Sequence, residues 1–528
     1  MNTAVGDGDK LPLSGRLALH PVLAALYPVL ALWVANVSEV RPPEVIGPIW
    51  WSMAVVTIAW LVLWWPSGSL RAAAIPASLA ALGFLMYDQI FAESTKWWVV
   101  VAAGGLVLVV VVFRRLRRLT VARWTAVANV AALVFVSFPM PVALPRLAGS
   151  TPSVAGVAAP QLTSTPGRDI VYIIPDRYAR QDVLADVYGF DNSDFIGHLE
   201  DLGFQLPPEA TTNYPKTALA LAASWNLNYL QDILPDGLPP DEWDPAYELA
   251  QDHLLGRVLT DAGYDYLHLP TWFAGTKKAL SADRVVRFDG LSEFEAVYRS
   301  ATAFDDYSLL ERIGPGRKRT VDPPRNDPVD PPVYTRGLEL HQYNHTVFQF
   351  EQLDRLARED GGQPRFILAH LTMPHGPYIF DEDGTLVSKE LAKERGEFES
   401  YRRQLTYLNT RLKDMVDTLL AGPEDEHPII IIQADEGPDP RERQLTGKGF
   451  DWLQATDEQL QMKFPVMAAF YLPGADVDLP DSFSDVNTWR MILDTYFGTD
   501  LGLLEDRIYM IADEYNLYTY YDITDRVD

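Results

Sequence analysis

Two apolar runs in the sequence end in carboxylates. Asp176 follows Asp169–Pro175, and Asp435-Glu436-Gly437 follows the isoleucine run that begins at Ile429. In open α/β sheets, ligands gather beyond the carboxyl ends of the strands. If these two strands are neighbours, three carboxyl groups meet at one rim. Like charges that close do not all stay ionised without a cation between them, and a hard divalent ion held by oxygen ligands resolves the conflict. The competing reading is structural: Asp176 caps a following helix and Asp435-Glu436 opens a turn. A third feature is Asn213-Tyr214-Pro215-Lys216-Thr217. Pro215 marks a helix start and puts Thr217 in the first turn, where a hydroxyl faces backbone N–H groups and suits phosphate chemistry. An ordinary helix start gives the same pattern. Lys216 beside it offers either a positive charge or a solvated side chain. The fourth is a histidine pair, His370 and His375, with Pro374 and Pro377 holding His375 in a rigid loop at a sheet edge. A lone histidine is otherwise a structural hydrogen bonder.

The elements that must position these groups follow from hydropathy. Runs apolar on both faces at Asp169–Ile174, Tyr264–Leu269, Phe366–His370, Ile429–Gln433 and Val466–Tyr471 are expected as parallel strands buried between helices. Helical spacing over Phe195–Leu202 and Arg402–Leu420 supplies the covering layers. Segment 313–334, with Gly314-Pro315-Gly316 and repeated Asp-Pro pairs, reads as a surface excursion.

Ahead of this domain stand five apolar stretches near the ~20 residues that cross ~30 Å of hydrocarbon: Leu17–Asn36, Ile46–Trp65, Ala72–Met86, Trp97–Phe113 and Trp124–Leu144. Trp50, Trp51, Trp64, Trp65, Trp97 and Trp98 sit at their ends, as an interfacial belt requires. Pro21, Pro28 and Pro76 interrupt the pattern, which membrane helices tolerate. Arg114, Arg115, Arg117, Arg118 and Arg123 cluster in one loop; placing it inside puts Lys10, Arg16 and Arg71 inside as well. The positive-inside rule then gives an inner N-terminus and, after five crossings, an outer C-terminal domain. The expected organisation is a transmembrane domain over 1–146, a Pro/Ser/Thr/Gly-rich linker over 147–167 and an extracytoplasmic α/β domain over 168–528. Charge divides along the same line. Residues 1–150 carry 11 Lys+Arg against 6 Asp+Glu, a net +5, so the remainder carries −32 and makes the whole chain −27. Such a field repels phosphate backbones and argues against nucleic-acid binding. The absence of cysteine excludes disulfides, thiolate zinc sites and thiol nucleophiles.

The order of motifs resembles the alkaline phosphatase/sulfatase-like superfamily. A strand ends in an acid at Asp176, a hydroxyl follows at Thr217, a loop carries His375, and a late strand ends in Asp435 where the family has Asp-His-Gly. With five apolar segments in front, the chain resembles the lipoteichoic acid synthase type of phosphoglycerol transferase and the lipid A phosphoethanolamine transferases. Val486-Asn487-Thr488-Trp489-Arg490 and Tyr496-Phe497-Gly498 resemble a C-terminal signature of the group. The resemblance implies an N-terminal five-helix transmembrane bundle followed by a mostly parallel, helix-covered sheet, in a multi-pass protein of a bacterial inner membrane. It implies one divalent ion held by Asp176, Thr217, Asp435 and Glu436. It makes Thr217 the nucleophile and His375 the group that steadies the head group or leaving oxygen. The implied reaction moves a phosphoglycerol- or phosphoethanolamine-like group from a membrane lipid to an envelope glycan or lipid through a phospho-threonine. A phosphodiesterase or phosphatase using water, and a non-catalytic envelope scaffold, are the alternatives. Glu436 in place of histidine turns the expected metal towards Mn or Mg, with Zn admitted. Sulfatases proper oxidise a Cys or Ser to formylglycine, whereas this chain has Thr217 there.

Overall fold

The computed structural model describes residues 17–37, 40, 42–91, 96–116, 118–138, 140–141, 158–288, 292–303, 337–359 and 361–527. Segment 313–334, the linker as far as residue 157, and Lys10, Arg16, Arg41 and Arg117 lie outside them. The chain divides into two compact units, one built on residues 1–149 and 290–332, the other on 150–289 and 342–528.

In the first unit each expected apolar stretch forms a helix: His20–Ala35, Pro42–Ser67, Leu70–Leu85, Lys96–Arg115 and Arg118–Ser137. Two of them, over Pro43–Ser67 and Thr120–Ser137, are long and apolar enough to cross a membrane, while His20–Ala35 and Leu70–Leu85 are shorter apolar helices. Small residues line the contacts, with Ala25, Val56 and Ala81 buried together, as close packing between apolar helices demands. Outward-facing Ile58, Val62, Trp65, Val107, Leu108, Val134 and Phe135 are exposed, an apolar surface that suits lipid. The Glu293–Ser300 helix, opened by a Ser292–Glu295 capping box, packs here too. Its Phe294 and Tyr298 are buried with Val29 and Val45, and the Tyr298 hydroxyl lies 2.6 Å from Ser52 Oγ.

The second unit is built on a six-stranded sheet: β1 (Ile170–Pro175), β2 (Asp265–Leu269), β3 (Arg284–Val285), β4 (Arg365–Leu371), β5 (Ile429–Gln433) and β6 (Ala468–Tyr471). Their order is β3-β2-β4-β1-β5-β6. β1 pairs in parallel with both β4 and β5, so the two acid-terminated strands are neighbours. Only β6 runs antiparallel, against β5. β1, β4 and β5 are buried at every residue, which their unbroken apolar runs require. One face packs against the Glu397–Leu419 helix through Leu405, Leu408 and Leu412, and the other against Trp489, Ile492 and Leu493 of the Asp485–Phe497 helix. Helices on both faces leave the strands' carboxyl ends as the free edge of the sheet.

Candidate active site

Asp176 leaves β1 with its N–H bonded to the Leu371 carbonyl (2.9 Å) and its own carbonyl accepting the His375 N–H (3.1 Å). The backbone thus staples the end of β1 to the loop after β4. Asp435 stands one residue beyond Ala434, whose N–H donates to the Met467 carbonyl (2.9 Å). Both carboxyls are buried. Asp176 Oδ1 and both oxygens of Asp435 have no hydrogen-bond partner of ordinary geometry. The Thr217 hydroxyl is near enough to Asp435 to favour its charged form, but burial and the Glu436 charge outweigh that and push Asp435 up to about 7. Asp176 is raised well above the usual carboxylate range, by burial first and by Asp435 second.

Thr217 is the first residue of a wholly buried helix, Thr217–Trp225, with Lys216 as its extended N-cap. Pro215 therefore precedes the cap. The first turn has no side-chain cap; the N–H groups of Leu219 and Ala220 both donate to the Lys216 carbonyl (2.9 Å), and the positive end of the helix dipole lies at Thr217. Lys216 Nζ pairs with Glu514 (3.1 Å), and Arg443 joins the same Glu514 oxygen.

His370 completes the hole. It sits on β4 opposite Ile174 of β1, and its Nε2, without a hydrogen-bond partner, lies 3.9 Å from Asp176 Oδ2. Asp176, His370 and Asp435 each present one ligand atom, all within 4.8 Å of one another. Two buried carboxyls, three of whose four oxygens have no hydrogen-bond partner of ordinary geometry, and an unpartnered imidazole nitrogen form a donor set that fits a divalent ion.

The other expected residues lie around this set. Glu436, also buried, accepts from Arg177 Nε at Oε1 (2.9 Å), and its Oε2 forms an ion pair with Lys463 Nζ at 3.1 Å. Asp439 takes the same two cations at 3.0 and 2.8 Å. Burial would raise Glu436, but Lys463 and Arg177 hold it below its ordinary value. Arg177 adopts φ 64, a left-handed conformation that non-glycine residues avoid. Gly437 is required: a Cβ there would lie 2.6 Å from the Lys463 carbonyl. The Nδ1 of His375 contacts the Gly376 carbonyl, and its loop is held by Gln404. The Gln404 amide donates to the carbonyls of His375 (2.9 Å) and Pro374 (3.3 Å) and accepts from the N–H groups of Ile379 and Phe380.

The structure thus brings Asp176, Asp435 and Thr217 together, sets His375 on the adjoining loop and engages Glu436 in ion pairs. Sequence reasoning did not find Arg177, Asp439, Lys463 or Gln404, which come from separate parts of the chain. It noted His370 only as half of a pair. The signal was there: one ionisable ring within a fully buried apolar strand.

Comparison with known proteins adds a family. A model of the Sulfatase family matches residues 168–468. No curated protein matches the chain. Among solved structures, the C-terminal periplasmic domain of EptC from Escherichia coli, in complex with Zn, is 11% identical, covering 69% of this chain and 96% of its own (TM-score 0.42). The integral membrane lipooligosaccharide phosphoethanolamine transferase A of Neisseria meningitidis is 12% identical, covering 90% and 95% (TM-score 0.38). A putative sulfatase from Bacteroides thetaiotaomicron is 12% identical, covering 66% and 78% (TM-score 0.40).

Proposed function

The chain belongs to the Sulfatase family, and from that premise we propose that it transfers a phosphoryl-linked head group from a membrane lipid to a cell-envelope acceptor. The observation that carries this reading is the cluster of unpartnered, buried Asp176 and Asp435 oxygens beside the Thr217 hydroxyl. Asp176 and Asp435 would hold a divalent ion with Thr217 next to it. When bound, such an ion neutralises charge on phosphorus oxygens and lowers the pKa of a hydroxyl.

The chain's own residues account for the rest. The N-terminus of the Thr217–Trp225 helix would offer the positive end of its dipole to the phosphorus oxygens. Thr217 Oγ attacks phosphorus, the bond from phosphorus to the lipid alcohol breaks, and a phospho-threonine forms. The Thr217 hydroxyl proton passes to the departing alcohol oxygen, which His375 steadies, while Asp176 and Asp435 stay ionised as the residues that would hold the ion. Attack by an acceptor hydroxyl then releases Thr217. The arginine pattern, read with five membrane crossings, supports an outward-facing domain and this chemistry at the outer face of a bacterial inner membrane.

The test uses full-length protein in detergent, incubated with phosphatidylglycerol or phosphatidylethanolamine and either Mn or Zn. Intact-mass and peptide mass spectrometry should find one phosphorus-bearing head group at Thr217, absent from Thr217→Ala. Turnover of lipid without that adduct would replace the reading by direct hydrolysis with water. Neither adduct nor turnover would leave a scaffold.

A further inference from the structure

The family resemblance puts a histidine at position 436, and this chain has glutamate there. We propose that the nitrogen ligand has moved to His370, so that the metal is held by Asp176, His370 and Asp435 beside Thr217, and that Glu436 is not a ligand but the counter-charge of Lys463 and Arg177. This inference rests on the reading of the site as a metal centre.

Two sets of contacts carry it. The first is the engagement of Glu436. Oε1 accepts from Arg177 Nε at 2.9 Å, and Oε2, though without a hydrogen bond, is paired in charge with the fully buried Lys463 Nζ at 3.1 Å. Asp439 closes the ring with the same two cations, and Lys463 also donates to the Gly437 carbonyl at 2.9 Å. The fully buried Lys463 and the partly buried Arg177 balance two buried anions in charge. Withdrawing Glu436 to bind a metal would leave Lys463 and Arg177 facing one carboxylate in a desolvated site.

The second is the orientation of His370. Its Nδ1 lies 2.9 Å from Thr276 Oγ1, which lies 2.7 Å from Thr271 Oγ1. With Nδ1–H donating to Thr276 and Thr276 donating to Thr271, the lone pair is left on Nε2. That atom is fully buried, has no hydrogen-bond partner and faces the carboxylates of Asp176 and Asp435. The opposite tautomer would aim an N–H at Asp176 Oδ2 from 3.9 Å, too far to bond. A metal-ligating histidine has this arrangement: one nitrogen fixed by an outer partner, the other presented to the ion. An imidazole with two carboxylates also takes Zn more readily than an all-oxygen set would. The sequence-based preference for Mn or Mg, which came from Glu436, thereby turns towards Zn.

Full-length protein, stripped with chelator and kept in detergent, would be titrated with Zn and with Mn by calorimetry, and the Zn form examined by X-ray absorption. The expected result is one Zn per chain with one imidazole in its shell. His370→Gln should remove that imidazole and weaken Zn binding by about 100-fold or more, whereas Thr276→Val should weaken it by about 10-fold, the scale of an outer partner. Glu436→Gln and His375→Ala should retain the imidazole and the stoichiometry. The X-ray measurement on the unmutated chain guards against variants that fail to fold. An all-oxygen shell, or an imidazole that persists in His370→Gln, overturns the relocation while leaving the metal centre intact. Failure of the unmutated chain to take up either metal overturns the metal centre itself.

Discussion

Asp176 and Asp435 are buried side by side, where desolvation and mutual repulsion outweigh the help they receive from Arg177, Lys463 and the Thr217 hydroxyl, an arrangement with a measurable consequence. Burial and the neighbouring Glu436 raise the folded-state pKa of Asp435 to about 7. Between its unfolded value near 4 and about 7, the folded chain therefore keeps a proton that the unfolded chain has lost. Metal-free stability falls as pH rises through that window, and Asp176 acts in the same direction. Asp435→Asn removes the contribution of residue 435. Thermal melting of chelator-treated protein between pH 5 and 7 should fall more steeply in the unmutated chain than in Asp435→Asn. Saturating Zn should flatten the unmutated curve and leave the variant's curve where it was. Parallel curves, or a variant that responds to Zn as the unmutated chain does, would show that Asp435 carries no such burden. These two acids were legible in the sequence because a buried parallel strand reads as an unbroken apolar run, and its end is where such sheets bind. Arg177, Asp439 and Lys463 were not legible. A balanced buried charge cluster assembled from distant segments leaves no periodicity along the chain.

At the scale of elements, β1, β4 and β5 stood out because each is buried on both faces. The two-residue β3 and the antiparallel direction of β6 leave no such mark. Neither does the role of the long Glu397–Leu419 helix, whose amphipathic pattern shows which face it buries but not that Gln404 on that face holds the His375 loop. Gln404 is fully buried and answers four backbone groups of residues 374–380. Gln404→Leu keeps the volume and leaves those groups without partners, at a cost of about 1–3 kcal/mol. The expected outcome is faster amide hydrogen exchange confined to Ile379 and Phe380, with the β1 amides still protected. Accelerated exchange throughout the sheet would mean that Gln404 supports the core rather than the loop.

At the scale of the whole molecule, topology decides whether the proposed chemistry takes place in the envelope. The basic residues argue for an inner N-terminus, and the helical unit supplies a second, independent constraint. Arg114, in the last turn of Lys96–Arg115, donates to the Pro66 carbonyl at the end of Pro42–Ser67 (3.0 Å). The exits of the second and fourth apolar segments therefore lie on one side, as strict alternation requires. Because the chain has no cysteine, single substitutions report directly. Val37→Cys and Asp525→Cys should react with a membrane-impermeant maleimide on intact spheroplasts. Leu116→Cys, within the arginine-rich turn, should react only after lysis. Labelling at 116 with protection at 525 would invert the orientation. Protection of both until lysis would mean an even number of crossings. In either case the acidic domain and its Thr217 would face the cytoplasm, where an extracytoplasmic acceptor lies beyond reach.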